Sequence, residues 1–139
     1  MSKQLISVVS SKTRSDICDD PQLKAKCFRL LRHDEIQFVG IINNMGNLVC
    51  GGFSKGMDLI KTDEEKRKLY MQTALEISMH SDFYDTLGKT NYVTVNMDNV
   101  LRIIMPMNNY TLLIFTKPTS IVERIITKVH DLRFFPSED

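Results

Sequence analysis

Apolar positions recur at two different spacings along the chain and divide it into predicted strands and helices. The stretch 36–53, IQFVGIINNMGNLVCGGF, holds two short apolar runs, Ile36–Ile42 and Leu48–Phe53, on either side of a polar, glycine-containing link. Two such runs joined by such a link predict a β-hairpin. The first run is apolar at nearly every position, which is typical of a strand covered on both faces. The hairpin is therefore expected at the centre of the fold.

Glycines modify both predicted strands of this hairpin. Gly40 lies in the middle of the first strand, where the missing side chain predicts close approach by a neighbouring group. Gly51 and Gly52 lie near the end of the second strand and predict a bulge or a bend off the sheet.

Helical spacing appears on both sides of the hairpin. Asp20-Pro21 supplies a cap and a first helical residue, and apolar residues at i, i+4, i+7 and i+8 predict a helix over 21–32. A second helix begins at the capping box Thr62–Glu65. Its apolar residues form two adjoining stripes: Leu69, Tyr70, Thr73, Ala74 and Ile77 on one, and Met71, Leu75 and Met79 on the other. Such a wide apolar face predicts burial against the sheet on one side and against a further surface on the other.

Three strands and a helix are predicted after a loop over 82–89. Residues 92–97 alternate between apolar and polar, as in a half-exposed edge strand. Residues 100–107 and 110–116 are apolar on both faces and predict central strands, with Pro106 near a strand end because it has no N–H to donate. A second capping box, Ser120–Glu123, predicts the start of the closing helix.

Composition limits the class of protein. The 139 residues are 42% hydrophobic and 25% charged, with a formal net charge of +1. These values indicate a globular domain, which we place at 20–139 after a lead segment at 1–19. The balanced charge argues against a nucleic-acid partner. No apolar run reaches the roughly 18 residues that cross a bilayer, so we expect no membrane insertion and a cytoplasmic location.

Residues with catalytic or metal-binding chemistry are present but scattered, so we expect no catalytic residues, no metal, no cofactor and no enzyme activity. The three histidines follow or end predicted helices, where they suit the helix dipole. The acidic pairs at helix starts have the same explanation. The cysteines, Cys18, Cys27 and Cys50, are odd in number and have no CxxC spacing, so we expect neither a disulfide framework nor a zinc site. Cys27 and Cys50 are expected in the core, and Cys18 is the most exposed candidate for reactivity.

The segment GGFSKG, residues 51–56, has two interpretations. Its lysine and serine among glycines suit a weak anion site, although no GxxxxGK[ST] or GxGxxG motif is present. The same residues also suit a bend at the end of a strand, which we favour.

The element order α-ββ-α-βββ-α predicts an α+β fold with a five-stranded antiparallel sheet, a central helix on one face and the terminal helices on the other. Over about residues 20–132 this order resembles the roadblock-like branch of the profilin-like superfamily. The segments FVGIINNMGNLVCGGF, EEKRKLYMQTAL and DNVLRIIMPMNNYTLLIFTKP also resemble a family of small uncharacterised archaeal proteins of this type.

The roadblock resemblance implies a homodimer in which central helices pair and third strands join into one sheet. The residues support this separately, through the wide apolar helix face and an edge strand without lysine or proline. A solvated edge is the alternative, since its outward residues are polar. The candidate dimer or partner interface comprises Met71, Leu75, Met79, Tyr92, Thr94 and Asn96.

These observations favour a non-enzymatic regulatory or scaffolding module that binds itself and another protein, which the resemblance implies to be a small GTPase. The alternative is a sensor domain that binds a small molecule between the sheet and the helices.

Overall fold

The structure, a computed structural model, describes residues 20–56 and 59–134. The predictions for the lead segment 1–19 and for Cys18 lie outside these ranges. The described elements, in chain order, are α1 (Pro21–Leu31), β1 (Ile36–Asn43), β2 (Leu48–Phe53), α2 (Asp63–His80), a 3₁₀ turn (Ser81–Phe83), α3 (Tyr84–Leu87), β3 (Val93–Asn96), β4 (Leu101–Pro106), β5 (Tyr110–Thr116) and α4 (Val122–Asp131).

The five strands form one antiparallel sheet in the order β2-β1-β5-β4-β3. The predicted fold class is confirmed, with β1, β4 and β5 inside the sheet and β3 at an edge. The loop predicted over 82–89 is wrong in part, because the 3₁₀ turn and the four-residue α3 occupy most of it.

Each face of the sheet carries its own core. One face packs against α1 and α4 through Cys27, Leu30, Ile125 and Val129. The opposite face packs against α2, where Tyr70 joins a cluster of strand residues with Phe38. The Phe38 ring lies 6.2 Å from that of Tyr70, and further aromatic rings pack around it. Of the helices within 20–56 and 59–134, α2 therefore packs on one face and the two terminal helices pack on the other, as predicted.

The glycines of the hairpin explain its irregularities. An added Cβ at Gly40 would lie 2.6 Å from the Phe38 ring, so the predicted close approach is confirmed. The bulge, however, lies at Val49, where the register shifts opposite Ile41 and Ile42. β2 continues through Gly51 and Gly52 to Phe53, so the expectation of a bulge or a departure from the sheet at the glycines is wrong. Gly51 instead has a φ of 103° and lies against the carbonyl of Val39.

Two helix starts follow the sequence and one does not. Asp20 Oδ1 accepts hydrogen bonds from the N–H groups of the first turn of α1, and Thr62 Oγ1 accepts from Glu65 N–H at 3.1 Å. The capping box predicted at Ser120 is wrong. Ile121 occupies the cap position of α4, and the Ser120 hydroxyl is buried without a partner among the described residues. The Ser120 N–H closes a turn onto Lys117 and so holds the residue one position too early to cap.

The two described cysteines are buried, as expected. Cys27 is a free thiol on α1, and burial raises its pKa to about 12. Cys50 is disulfide-bonded, which corrects the expectation that this chain forms no disulfide.

Candidate functional site

The outward face of α2 carries a row of exposed apolar side chains. Met71, Leu75 and Met79 are 53%, 59% and 66% exposed, whereas Tyr70 and Thr73 on the inward face are buried. The two predicted stripes of this helix therefore separate, with one buried on the sheet and the other in solvent. We call Met71, Leu75 and Met79 the α2 stripe. An exposed row of this kind is typical of an interaction surface.

The hairpin turn between β1 and β2 borders the α2 stripe. Asn44 and Met45 from the turn and Met71 and Leu75 from the helix line a groove of about 140 Å³. Gly46 at the turn has a φ of 83°, and an added Cβ there would lie 2.8 Å from Met71 Cγ. Close packing of the turn thus fixes the position of Met71. Met45 is 77% exposed and extends the apolar surface beyond the helix.

The structure places the predicted β3 residues on the other face of the sheet. Thr94 pairs with Ile103, whose side chain belongs to the core under α1 and α4. Side chains alternate along a strand, so Tyr92, Thr94 and Asn96 all project to that face, away from α2. All three are exposed. The structure therefore separates the six candidate residues into two groups of three and does not join them in one continuous side-chain patch.

The backbone of β3, unlike its side chains, has groups placed where a further strand could pair with them. Met97 N–H donates to Val100 C=O at 2.9 Å across the β3–β4 turn. Because hydrogen-bonded pairs alternate in an antiparallel ladder, the N–H and C=O groups of Thr94 and Asn96 point away from β4. Within 20–56 and 59–134 no other strand pairs with these groups, which lie along the outer edge of a regular four-residue strand.

The opposite sheet edge is irregular. β2 is interrupted by the bulge at Val49 and by the left-handed backbone of Gly51. A bulge and a twisted backbone disturb the straight row of donors and acceptors that a second strand needs. Of the two edges, β3 is therefore the better suited to pair with another strand.

A partly buried arginine lies beneath α2. Arg102 Nη2 donates to Thr73 Oγ1 at 3.2 Å, and the buried Nε has no partner among the described residues. Burial lowers the pKa of Arg102, and the nearby carboxylate of Glu76 opposes that effect. No role for Arg102 was predicted from the sequence. Its signal was a single charge inside the apolar run LRIIMP.

The candidate catalytic types remain apart in the structure. His80 ends α2, and its Nδ1 lies 3.2 Å from Thr90 Oγ1, which ties the helix end to the segment before β3. His33 follows α1 and His130 lies in the last turn of α4, so all three histidines are at helix ends as predicted. Within 20–56 and 59–134, no three His, Cys, Asp or Glu side chains gather as a metal site would require. In the same ranges, no helix has the length and apolar character to span a bilayer.

Sequence comparisons find no match, whereas structural comparison finds proteins of similar fold. No protein-family model and no curated protein match this sequence. The structure of MglB from Myxococcus xanthus aligns with a TM-score of 0.66 at 10% identity, covering 81% of this chain and 89% of that one. The gliding protein MglB from Thermus thermophilus aligns with a TM-score of 0.65 at 8% identity, over 80% of this chain and 82% of that one. A Roadblock/LC7 domain from Streptomyces avermitilis aligns with a TM-score of 0.63 at 9% identity, over 78% and 89%.

These alignments cover most of each chain at very low identity. The protein therefore has the Roadblock/LC7 fold, which confirms the roadblock-like resemblance at the level of fold. Another of the similar structures is an MglB described as having a tetrameric arrangement.

Proposed function

We propose that the protein is a non-enzymatic regulatory or scaffolding module that forms a homodimer through α2 and β3 and binds another protein, a small GTPase. The observation that carries the proposal is the α2 stripe, with three large apolar side chains each more than half exposed on one helix face. Water-exposed apolar area of this kind is stabilised when a protein surface covers it. A second copy of this chain is present wherever the protein is, at the same concentration, and can therefore cover the α2 stripe.

The β3 edge supports a second contact in the same dimer. Antiparallel pairing of two β3 strands would satisfy the outward backbone groups of Thr94 and Asn96 and extend the sheet to ten strands. The side chains of those residues would then lie on the α1 and α4 face. Backbone pairing does not require apolar side chains, so their polarity is compatible with this role.

The small GTPase partner follows from the roadblock-like resemblance, and the MglB structures of the same fold are consistent with a role in protein interaction. The proposal of a non-enzymatic role rests on the positive evidence for a binding surface. The sensor alternative has no comparable observation in its favour. The side chains between the sheet and α2, such as Phe38, Ile104 and Leu113, are fully buried and packed together.

Light scattering after size-exclusion chromatography tests the dimer directly. We expect a mass of twice the 16.0 kDa chain at micromolar concentration, and a monomer there would contradict the proposal. Affinity capture with GDP or a GTP analogue present, followed by mass spectrometry, tests the partner. The expected result is a small GTPase whose recovery depends on the nucleotide. Capture without any small GTPase would refute that part.

The Thr94→Pro variant tests the β3 edge. Proline removes an N–H that points away from β4, so the ladder with β4 should persist while pairing to a second β3 is blocked. Thr94→Ala is the matched control, because it changes the side chain and keeps the N–H. We expect the proline variant alone to weaken the dimer, with both variants folded by circular dichroism. Equal dimer affinity in the two variants would exclude the edge from the interface.

A further inference from the structure

Charged side chains border the α2 stripe at both ends. Lys68 precedes Met71 by three residues, and Asp82 follows Met79 by three residues in the 3₁₀ turn that continues α2. Both charges are exposed, and neither forms an ion pair or a hydrogen bond with residues 20–56 or 59–134. Leu75 is the midpoint of the stripe and lies seven residues from each charge.

We infer that two copies pack their α2 helices antiparallel about a two-fold axis at Leu75, so that Lys68 of each copy meets Asp82 of the other. The inference rests on the proposed function, which supplies the second copy. A two-fold interface uses the same patch on both subunits, so the patch must be complementary to itself. Residues equally far from Leu75 on opposite sides then meet, which places Met71 of one copy against Met79 of the second copy.

The charges select this arrangement from its alternatives. In a parallel pair Lys68 would lie opposite Lys68 of the second copy, and Asp82 opposite Asp82. Like charges in contact are unfavourable. An antiparallel pair shifted by half a turn, with the axis at Ile77, would place Lys68 opposite Thr86 and Asp82 opposite Gln72. Of these three arrangements, only the one centred on Leu75 buries the whole α2 stripe and also gives both charges an opposite partner.

The spacing suits a pair of long helices. Seven residues extend about 10 Å along a helix axis, so each ion pair lies about 10 Å from the two-fold axis. Helices that cross at about 20° remain in side-chain contact over such a distance. The ion pairs would thus lie at the rim of the contact and the α2 stripe at its centre, as in most protein interfaces.

Charge reversal provides the test. Lys68→Glu and Asp82→Lys should each weaken self-association roughly tenfold, because each turns two attractions into two repulsions. The double variant should recover wild-type affinity. An equimolar mixture of the two single variants should form the mixed dimer in large excess over either homodimer, since both of its contacts join opposite charges. Sedimentation gives the affinities, and copurification of an untagged variant with a tagged one gives the mixed dimer.

Matched controls lie on the opposite face of the sheet. Lys24→Glu on α1 and Glu123→Lys on α4 make the same charge changes at exposed positions and should leave the affinity unchanged. If the wild-type chain is a monomer, the proposed function itself fails. If it is a dimer but the reversed variants associate as the wild type does, or the double variant does not recover, the dimer stands and this arrangement of the helices is wrong.

Discussion

Substitution of Leu75 by glutamate should dissociate the dimer while the chain stays folded. Leu75 lies at the centre of the α2 stripe and is 59% exposed, so most of its side chain has no contact within the monomer. Glutamate is a good helix former and leaves the backbone of α2 undisturbed. In a dimer centred on this residue, two carboxylates would approach each other in a region that excludes water.

The size of the effect follows from the exposed fraction. Full burial of a leucine side chain contributes about 1.5–3 kcal/mol, so covering its remaining 59% would contribute about 1–2 kcal/mol in each copy. Two copies give about 2–3.5 kcal/mol for each dimer, which corresponds to a dissociation constant raised about 20- to 300-fold. Repulsion between the carboxylates adds to this. The free energy of unfolding of the monomer should fall by only about 1 kcal/mol or less, since surface substitutions have small effects.

Sedimentation over a range of concentrations measures the dissociation constant, and thermal unfolding by circular dichroism checks the fold. Ile121→Glu is the matched control, because Ile121 is 51% exposed at the start of α4 on the opposite face of the sheet. It should leave the dimer intact. If Leu75→Glu and Ile121→Glu give the same dissociation constant as the wild type, the α2 stripe is not in the interface.

Two further predictions concern the fold. Gly51→Ala should lower the free energy of unfolding by about 3 kcal/mol or more, because the added Cβ would meet the Val39 carbonyl and φ is positive there. Gly52→Ala is the control: an added Cβ there has nothing within 4 Å, so chemical denaturation should show a far smaller loss. Burial raises the pKa of the Cys27 thiol from 9.0 to about 12, so between these pH values the thiol ionises in the unfolded chain but not in the folded one. The free energy of unfolding should therefore keep this contribution in full below pH 9 and lose it between pH 9 and about 12. Cys27→Ala should remove that part of the loss, and equal pH profiles for the two proteins would refute the burial argument.

The elements with a direct sequence signature were predictable. β1 is apolar at nearly every position because both of its faces are covered, and its observed burial agrees. Asp20 and Thr62 cap their helices because each is followed by residues that favour a helical first turn. Ser120 shows the limit of such signals. It has the spacing of a capping box, yet a tertiary turn onto Lys117 holds it away from the helix start.

The division of the candidate site could not be read from the sequence. The alternation of β3 predicted two sets of side chains but not which set faces α2. That depends on the register between β3 and β4 and on the face that α2 occupies, both of which are tertiary properties. The sequence therefore predicted one candidate interface that combined Tyr92, Thr94 and Asn96 with the α2 stripe. In the structure, the β3 residues can contribute to that interface only through their backbone groups at the edge of the sheet.

The contrast between α2 and α4 is the strongest argument that α2 has a second surface to cover. Both helices lie on the sheet and bury apolar side chains there. On α4 the residues opposite the buried Ile125 and Val129 are charged or polar, as expected of a helix that only covers a core. On α2 the corresponding outward positions are the α2 stripe, although methionine and leucine there contribute little to the stability of the monomer. A helix that only covered the sheet would have the pattern of α4, so the stripe supports the proposed contact of α2 with another chain.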